Sequence, residues 1–306
     1  MTIQNAKNYG KASLTSSPTP VLDTDVLLQF ITGLDKTHLL LNRDTELNES
    51  QEKLFLAAID KRKTGLPVAY ITGHKEFFGL DFYVTPAVLI PKPDTELLVE
   101  LSLDALEDKF RAHTNAVPTV CDMCTGSGCV GLSIAKSIPA GKSIALTMAD
   151  ISEAALEVAR KNASRLFDSE NQDKNRQNLN SSFSFQISNL FANISKSFDL
   201  IATNPPYVPH SESIELLKDG RNEPLLALDG DVNENGEACG TDDGLSLIRR
   251  LVPQCYEHLN PNGVLIMETG EYNAEETAEL FKAAGFRKVS IEYDLNEMMR
   301  DVTGIR

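Results

Sequence analysis

No apolar run in the chain approaches the roughly 18 residues needed to cross a bilayer, so a membrane-spanning protein is not expected. The first residues lack the basic segment and apolar stretch of a secretory signal. They also lack arginine: residues 1–20 carry Lys7 and Lys11 but no acid, which suits a plain flexible tail better than a transit peptide. Basic runs are missing too. The formal net charge is −15, from 44 acids against 29 bases, so the chain as a whole repels a phosphate backbone. Binding nucleic acid would need a concentrated basic patch. Arg160, Lys161 and Arg165 share a predicted helix face, but Glu153, Glu157 and Asp168 surround them. Internal repeats are absent.

Three of the five cysteines, Cys121, Cys124 and Cys129, crowd together, which raises the question of a metal. A fourth ligand at zinc-like spacing is missing, and Cys239 and Cys255 make no second pair. Small buried residues in a strand and a glycine turn are the better reading. No metal is expected, and the compartment is reducing, hence cytoplasmic.

What is present is a globular composition, 42% hydrophobic and 24% charged, over 306 residues. That length allows one large domain, or a large one with a small one. Residues 22–64 read as helical: Asp23 is placed to cap a helix through Ile31 that Gly33 stops, and Asn48 begins another that runs until Gly65. "HKEFFGLDFYVTP" (74–86) predicts a hairpin around Gly79. Beyond a helix from about 94 to Phe110, strands and helices alternate. The expected strands are Thr119–Met123, Ile144–Ala149, Phe183–Ile187, Phe198–Thr203, Gly263–Glu268, Lys288–Tyr293 and Met298–Val302. Helices are expected at 129–137, 152–166, 241–258 and 273–284. This is an α/β pattern with a mainly parallel sheet. The last two strands lie too close together for a crossover, so one of them is expected antiparallel. The polar stretches 168–182 and 229–244 read as surface loops, the second as a mobile insertion.

Chemistry gathers where strands end. "VCDMCTGSGCVGLSIA" places Gly126 and Gly128 between a strand and a helix, with Asp122 ending that strand and Asp150 the next. A Rossmann-type fold presents a carboxylate to nucleotide ribose hydroxyls at that point; capping of the following helix is the alternative for Asp150, and a bare left-handed turn for the glycines. A nucleoside without a pyrophosphate is the favoured ligand. Asn189, in "SNLF", is an amide able to pair with an adenine. "TNPPYVPH" (203–210) ends an apolar strand on two prolines and a tyrosine, a stiff loop that carries the amide of Asn204.

Glycine turn, acid after the second strand and Asn-Pro-Pro-Tyr after the fourth together resemble the S-adenosylmethionine-dependent amino-methyltransferases. "GLPVAYITGHKEFFGLDFYVTPAVLIPKPDTELLVE" (65–100) narrows this, with "EPLLAL", "DGL", "PNGVLIMETG" and "YDLNEMMR" following in order. From about Asp23 onward the chain resembles the protein-(glutamine-N5) methyltransferases of peptide chain release factors. The resemblance implies a Rossmann-like, seven-stranded, mainly parallel sheet with a small N-terminal helical domain. It divides the chain into a tail (1–20), a helical substrate-recognition domain (21–72), a hairpin linker (73–93) and a methyltransferase domain (94–306). It implies S-adenosylmethionine held by Cys124, Thr125, Gly126, Ser127, Gly128, Asp150, Asn189, Leu190 and Asn204. Catalysis would fall to Asn204, Pro205, Pro206 and Tyr207: the Asn204 side-chain oxygen and the Pro205 carbonyl would grip a glutamine amide in a Gly-Gly-Gln loop of a release factor, and Tyr207 would pack on it. A monomer acting on a protein is implied, without nucleic acid or membrane. Three positions depart from the family: Cys124 replaces the usual glycine, Asn189 a common acid, and Lys92 an arginine. Two rivals stay open, N-methylation of adenine or cytosine in nucleic acid and a non-catalytic binding module.

Overall fold

The computed structural model describes residues 1–111, 116–167 and 181–306. They form two compact units, Met1–His74 with Glu215–Asn222, and Lys75–Ile214 with Glu223–Arg306. The first unit is built on helices α1 (Ile3–Ser13), α2 (Pro20–Thr32), α3 (Lys36–Leu41), α4 (Glu49–Lys63) and α5 (Val68–Thr72). Local chemistry sets their ends. Thr2 accepts the Asn5 N–H at the start of α1, and Pro20 opens α2 where no N–H partner is needed. Gly33 closes α2 at φ 72°, and Asn48 with Gln51 forms a reciprocal cap on α4.

Residues 1–20 are therefore not the tail expected. Ile3, Ala6 and Leu14 are buried in one core with Leu27, Leu28, Phe55 and Ile59. Asp23 is not a cap either. It lies in the first turn of α2, accepting from Ser17 and Thr19 and pairing with Arg62 Nε at 2.7 Å. Segment 215–222 joins this unit through its backbone: a Cβ on Gly65 would meet the Asp219 carbonyl at 1.9 Å.

In the second unit a hairpin, β1 (His74–Phe77) and β2 (Leu80–Tyr83), turns on Phe78 and Gly79, both at positive φ. Then follow α6 (Glu96–Arg111), β3 (Thr119–Met123), α7 (Cys129–Ser137), β4 (Ala145–Asp150), α8 (Glu153–Phe167), β5 (Ser182–Ile187), β6 (Phe198–Thr203) and α9 (His210–Leu216). The unit ends with α10 (Ser246–His258), β7 (Leu259–Glu268), α11 (Ala274–Ala284), β8 (Arg287–Tyr293) and β9 (Met299–Ile305). The sheet runs β5-β4-β3-β6-β7-β9-β8, parallel from β5 to β7, with β9 antiparallel to both its neighbours. Both faces are covered. Cys121 and Met123 of β3 enter one apolar cluster and Val120 another, the period-two alternation of a strand. From β3 the chain steps outward to β4 and β5, then returns to β6 on the other side of β3. Strand order reverses there, and ligands of open α/β sheets bind at such a point.

The stretch 229–244 departs from the mobile loop expected. Asp229, Gly230, Asp231 and Val232 are buried, and Asp231 accepts from Gly244 N (2.6 Å) and from the Thr241 and Ser246 hydroxyls (2.8 Å each). One carboxylate thus folds the polar segment around itself. The neighbouring helix begins at Ser246 rather than 241, because the residues before it serve this knot. Of the other expected loop, residues 168–180 lie outside the described residues, and Ser182 already belongs to β5.

Candidate active site

A cavity of about 180 Å³ lies beyond the carboxyl ends of β3 to β6. Cys124, Thr125, Gly126 and Ser127 line it from the turn after β3, Asp150 from β4, Asn189 and Leu190 from beyond β5, and Asn204 and Pro206 from beyond β6. Gly128, Pro205 and Tyr207, the other residues singled out in the sequence, do not. Gly128 is the N-cap of α7 at φ 79°, and Pro205 is buried.

The glycine turn is held from beneath. Thr125 N–H donates to the Ala149 carbonyl, and buried Asp122 accepts from Thr125 Oγ1 (2.6 Å) and Gly131 N (2.9 Å). A Cβ on Gly131 would stand 2.9 Å from Asp122 Oδ2, so glycine here permits the close approach of Asp122. Burial pushes Asp122 up to about 7, against the pull of those two bonds. Asn162, buried on α8, donates to the Ser127 and Tyr83 carbonyls (2.9 Å each) and accepts from Tyr83 N (2.7 Å). Only an amide amid the apolar face of a helix signals that role in the sequence. Cys124 sits at φ 60°, a conformation glycine adopts without cost, which is a physical reason for glycine to be usual there. Burial raises its thiol pKa, so it is a neutral wall of the cavity.

Asp150 is doubly engaged: Gly126 N–H donates to Oδ2 and Ser152 N–H to Oδ1, both at 2.9 Å. Helix capping itself falls to Ser152, whose hydroxyl accepts from Ala155 N. A carboxylate has about four acceptor sites, so two remain on Asp150. Burial raises its pKa, opposed by the Ser152 and Gly126 bonds. Asn189 Oδ1 accepts from Arg250 at 3.3 Å, and Leu190 follows at φ 51°. Lys92 makes a single contact, Nζ to Glu223 Oε1 at 3.0 Å, without the fork an arginine would offer.

At the far end stands Asn204. Its Nδ2 donates to Thr95 Oγ1 at 3.1 Å, which orients Oδ1 as the free acceptor of the amide. Tyr207 is held at both ends: its hydroxyl donates to Glu268 Oε1 at 3.0 Å, and its carbonyl accepts from Asn273 Nδ2 at 3.1 Å. Burial pushes Glu268 up to about 7, against the Thr95 and Tyr207 contacts and the charge of Arg300. Burial and the neighbouring Glu268 push the Tyr207 hydroxyl well above its usual range, so it stays a donor.

Two family models match: the PrmC N-terminal domain over residues 5–73 and the methyltransferase small domain over residues 99–219. A release factor glutamine methyltransferase of Clostridium acetobutylicum is 34% identical over 98% of this chain and 96% of its own. One of Burkholderia pseudomallei is 36% identical over 94% of this chain and 92% of its own. The chain belongs to the release factor glutamine methyltransferase family. Among solved structures, a methyltransferase from Pyrococcus furiosus is 17% identical with a TM-score of 0.48, over 82% of this chain and 96% of that one.

Members of this family are methyltransferases, and the cavity is chemically suited to S-adenosylmethionine. Ser127 Oγ is buried and, the Cys129 thiol aside, has no partner. A Cβ on Gly126 would meet nothing within 4 Å, so the turn faces open space. With the spare acceptor sites of Asp150, these groups offer partners to a ribose and an amino-acid moiety. Among the described residues no helix is long and apolar enough to cross a membrane.

Proposed function

We propose that this chain transfers the methyl group of S-adenosylmethionine to the side-chain amide nitrogen of a glutamine, in a Gly-Gly-Gln loop of a peptide chain release factor. The observation that carries this reading is the Asn204–Thr95 bond, which leaves Asn204 Oδ1 as an acceptor on the cavity. The turn Cys124–Gly128 takes the methionine portion, Asp150 the ribose hydroxyls, and Asn189 with Leu190 the adenine. Bound there, S-adenosylmethionine supplies an electrophilic methyl on a sulfonium.

An amide nitrogen is a weak nucleophile because its lone pair is delocalised into the carbonyl. Asn204 Oδ1 and the Pro205 carbonyl each accept one N–H of the glutamine, which turns that lone pair toward the methyl. Pro205 and Pro206 stiffen the loop, so little freedom is lost in holding this geometry. Transfer would form the N–C bond as the C–S bond breaks with its electron pair leaving on sulfur, and Asn204 and Pro205 would hold the amide while its surplus proton passes to water. Positioning is therefore the main contribution of the protein. The first unit, which carries none of these groups, grips the release factor, and the reaction runs in the cytoplasm.

Mass spectrometry after incubating the chain with a release factor and labelled cofactor tests this. One added methyl on the glutamine of the Gly-Gly-Gln loop is expected. Label appearing on DNA, or on no macromolecule, overturns it; a net charge of −15 speaks against the DNA outcome.

A further inference from the structure

Helix α10 carries Arg250, Gln254 and His258 at a spacing of four, which sets them one above another on a single face. All three reach the same stretch of chain, the turn that leaves β5. Arg250 Nη2 donates to Asn189 Oδ1 at 3.3 Å. Gln254 Oε1 accepts from the Phe191 N–H at 3.3 Å, while its Nε2 is tied back to the Arg250 carbonyl at 2.8 Å. His258 stands between two carbonyl acceptors, Gln254 at 2.9 Å from Nδ1 and Ile194 at 3.0 Å from Nε2. Its ring stacks on Phe191 with centroids 4.4 Å apart and planes inclined by 21°. Helix and turn are thus joined at three successive rungs.

The turn needs such support. Asn189 and Leu190 line the cavity, and Leu190 stands at φ 51°, which costs energy in a residue with a Cβ unless its surroundings enforce it. The Phe191 N–H, bonded to Gln254, belongs to the peptide that follows Leu190, and the Phe191 ring is buried. Gln254 and His258 lie off the cavity wall, so whatever they do for a ligand passes through this turn.

We propose that Gln254 and His258 are positioning residues that hold the turn 189–194 in its binding shape, so that α10 sets the affinity for the adenosyl half of the cofactor. The inference rests on the reading above that Asn189 and Leu190 take the adenine. Arg250 is the rung nearest the ligand: it lines the cavity and holds Asn189 Oδ1, which leaves Nδ2 as the donor for the base. The methionine half, assigned to the turn after β3, lies outside this clamp.

The test titrates the full chain and its Q254M, Q254E and H258F variants by calorimetry with two probes, S-adenosylhomocysteine and 5′-methylthioadenosine. The second probe keeps the adenosyl half and lacks the amino acid. Methionine removes the acceptor at nearly constant volume, glutamate keeps it, and phenylalanine keeps the stack on Phe191 without the polar contacts. Q254M is expected to weaken both probes by the same factor, about fivefold, the ratio one neutral hydrogen bond sustains. Q254E restores affinity, and H258F loses about threefold on both probes. KM for release factor, at saturating cofactor, stays at its wild-type value throughout. Before any ligand is added, hydrogen exchange at the Phe191 amide is faster in Q254M than in wild type and slow again in Q254E. Wild-type affinity in Q254M or in H258F overturns the inference, as does a loss confined to S-adenosylhomocysteine, failure of Q254E to rescue, or unchanged Phe191 exchange in Q254M. A wild-type chain that binds neither probe would instead overturn the cofactor reading beneath it.

Discussion

Asp231 and Glu268 are both fully buried acids of the same unit, and they live in opposite circumstances. Burial pulls Asp231 up, yet Gly244 N–H and the Ser246 and Thr241 hydroxyls outweigh it and leave its pKa lowered. Glu268 has one well-placed donor, and Asp301, its register partner across β7 and β9, has none on either oxygen. Burial and the Glu268 charge push Asp301 well above the usual carboxylate range. A carboxylate with surplus donors is an instrument of folding. One starved of donors holds its proton to higher pH, at some cost in stability.

The comparison is tested most strongly at Asp231. Asp231→Ala leaves two backbone and two hydroxyl donors without their charge, and about 4 kcal/mol of stability should go with them. Denaturant unfolding of that variant checks it; an unchanged midpoint would contradict the folding role. Asp150 stands between the two classes, with both oxygens engaged and acceptor sites to spare. Asp150→Ala should weaken S-adenosylmethionine binding by about 2 kcal/mol, roughly thirtyfold, by calorimetry. A lower melting point with intact affinity would place Asp150 with the folding acids.

Next in size is a separation along the pH axis. The folded state keeps a proton on Glu268 that the unfolded chain, near the ordinary carboxyl value of 4.5, has released. Stability should therefore fall as pH rises from that value to about 7. Asp231 and Asp243, whose pKa values are lowered, act in the opposite sense and only on acidification through their usual value of 3.8. A melting curve series should show E268Q flattening the upper window by roughly a few degrees and leaving the lower one as it was. Equal slopes in both proteins would remove the distinction. The smallest effect belongs to Cys124→Gly, which relieves a side chain at φ 60° and should stabilise the fold by about 1 kcal/mol when measured by denaturant unfolding.

Strands were the most legible part of the molecule. Thr119–Met123 and Phe198–Thr203 match to the residue, since continuous apolar runs bounded by turn residues mark buried parallel strands. Helix α1 escaped because Ile3, Ala6 and Gly10 form a thin apolar stripe among Asn and Lys, and only Thr24 and its neighbours complete the core around it. Segment 229–244 misled because its polarity is consumed internally by Asp231, which composition does not reveal. Cavity residues announced themselves by falling just after strands. Thr95 and Glu268 did not, although both lie in quoted motifs, because their meaning depends on a contact between distant parts of the chain. The bond from the Tyr207 hydroxyl to Glu268 was equally hidden, since it joins residues far apart in the chain.

Single-turnover transfer from labelled S-adenosylmethionine to a release factor, in wild type and Asn204→Ala at saturating cofactor, tests the central claim most directly. The acceptor role of Asn204 predicts a loss of about a hundredfold or more in the rate of that turnover, with cofactor affinity retained. A near-normal rate in Asn204→Ala would contradict it.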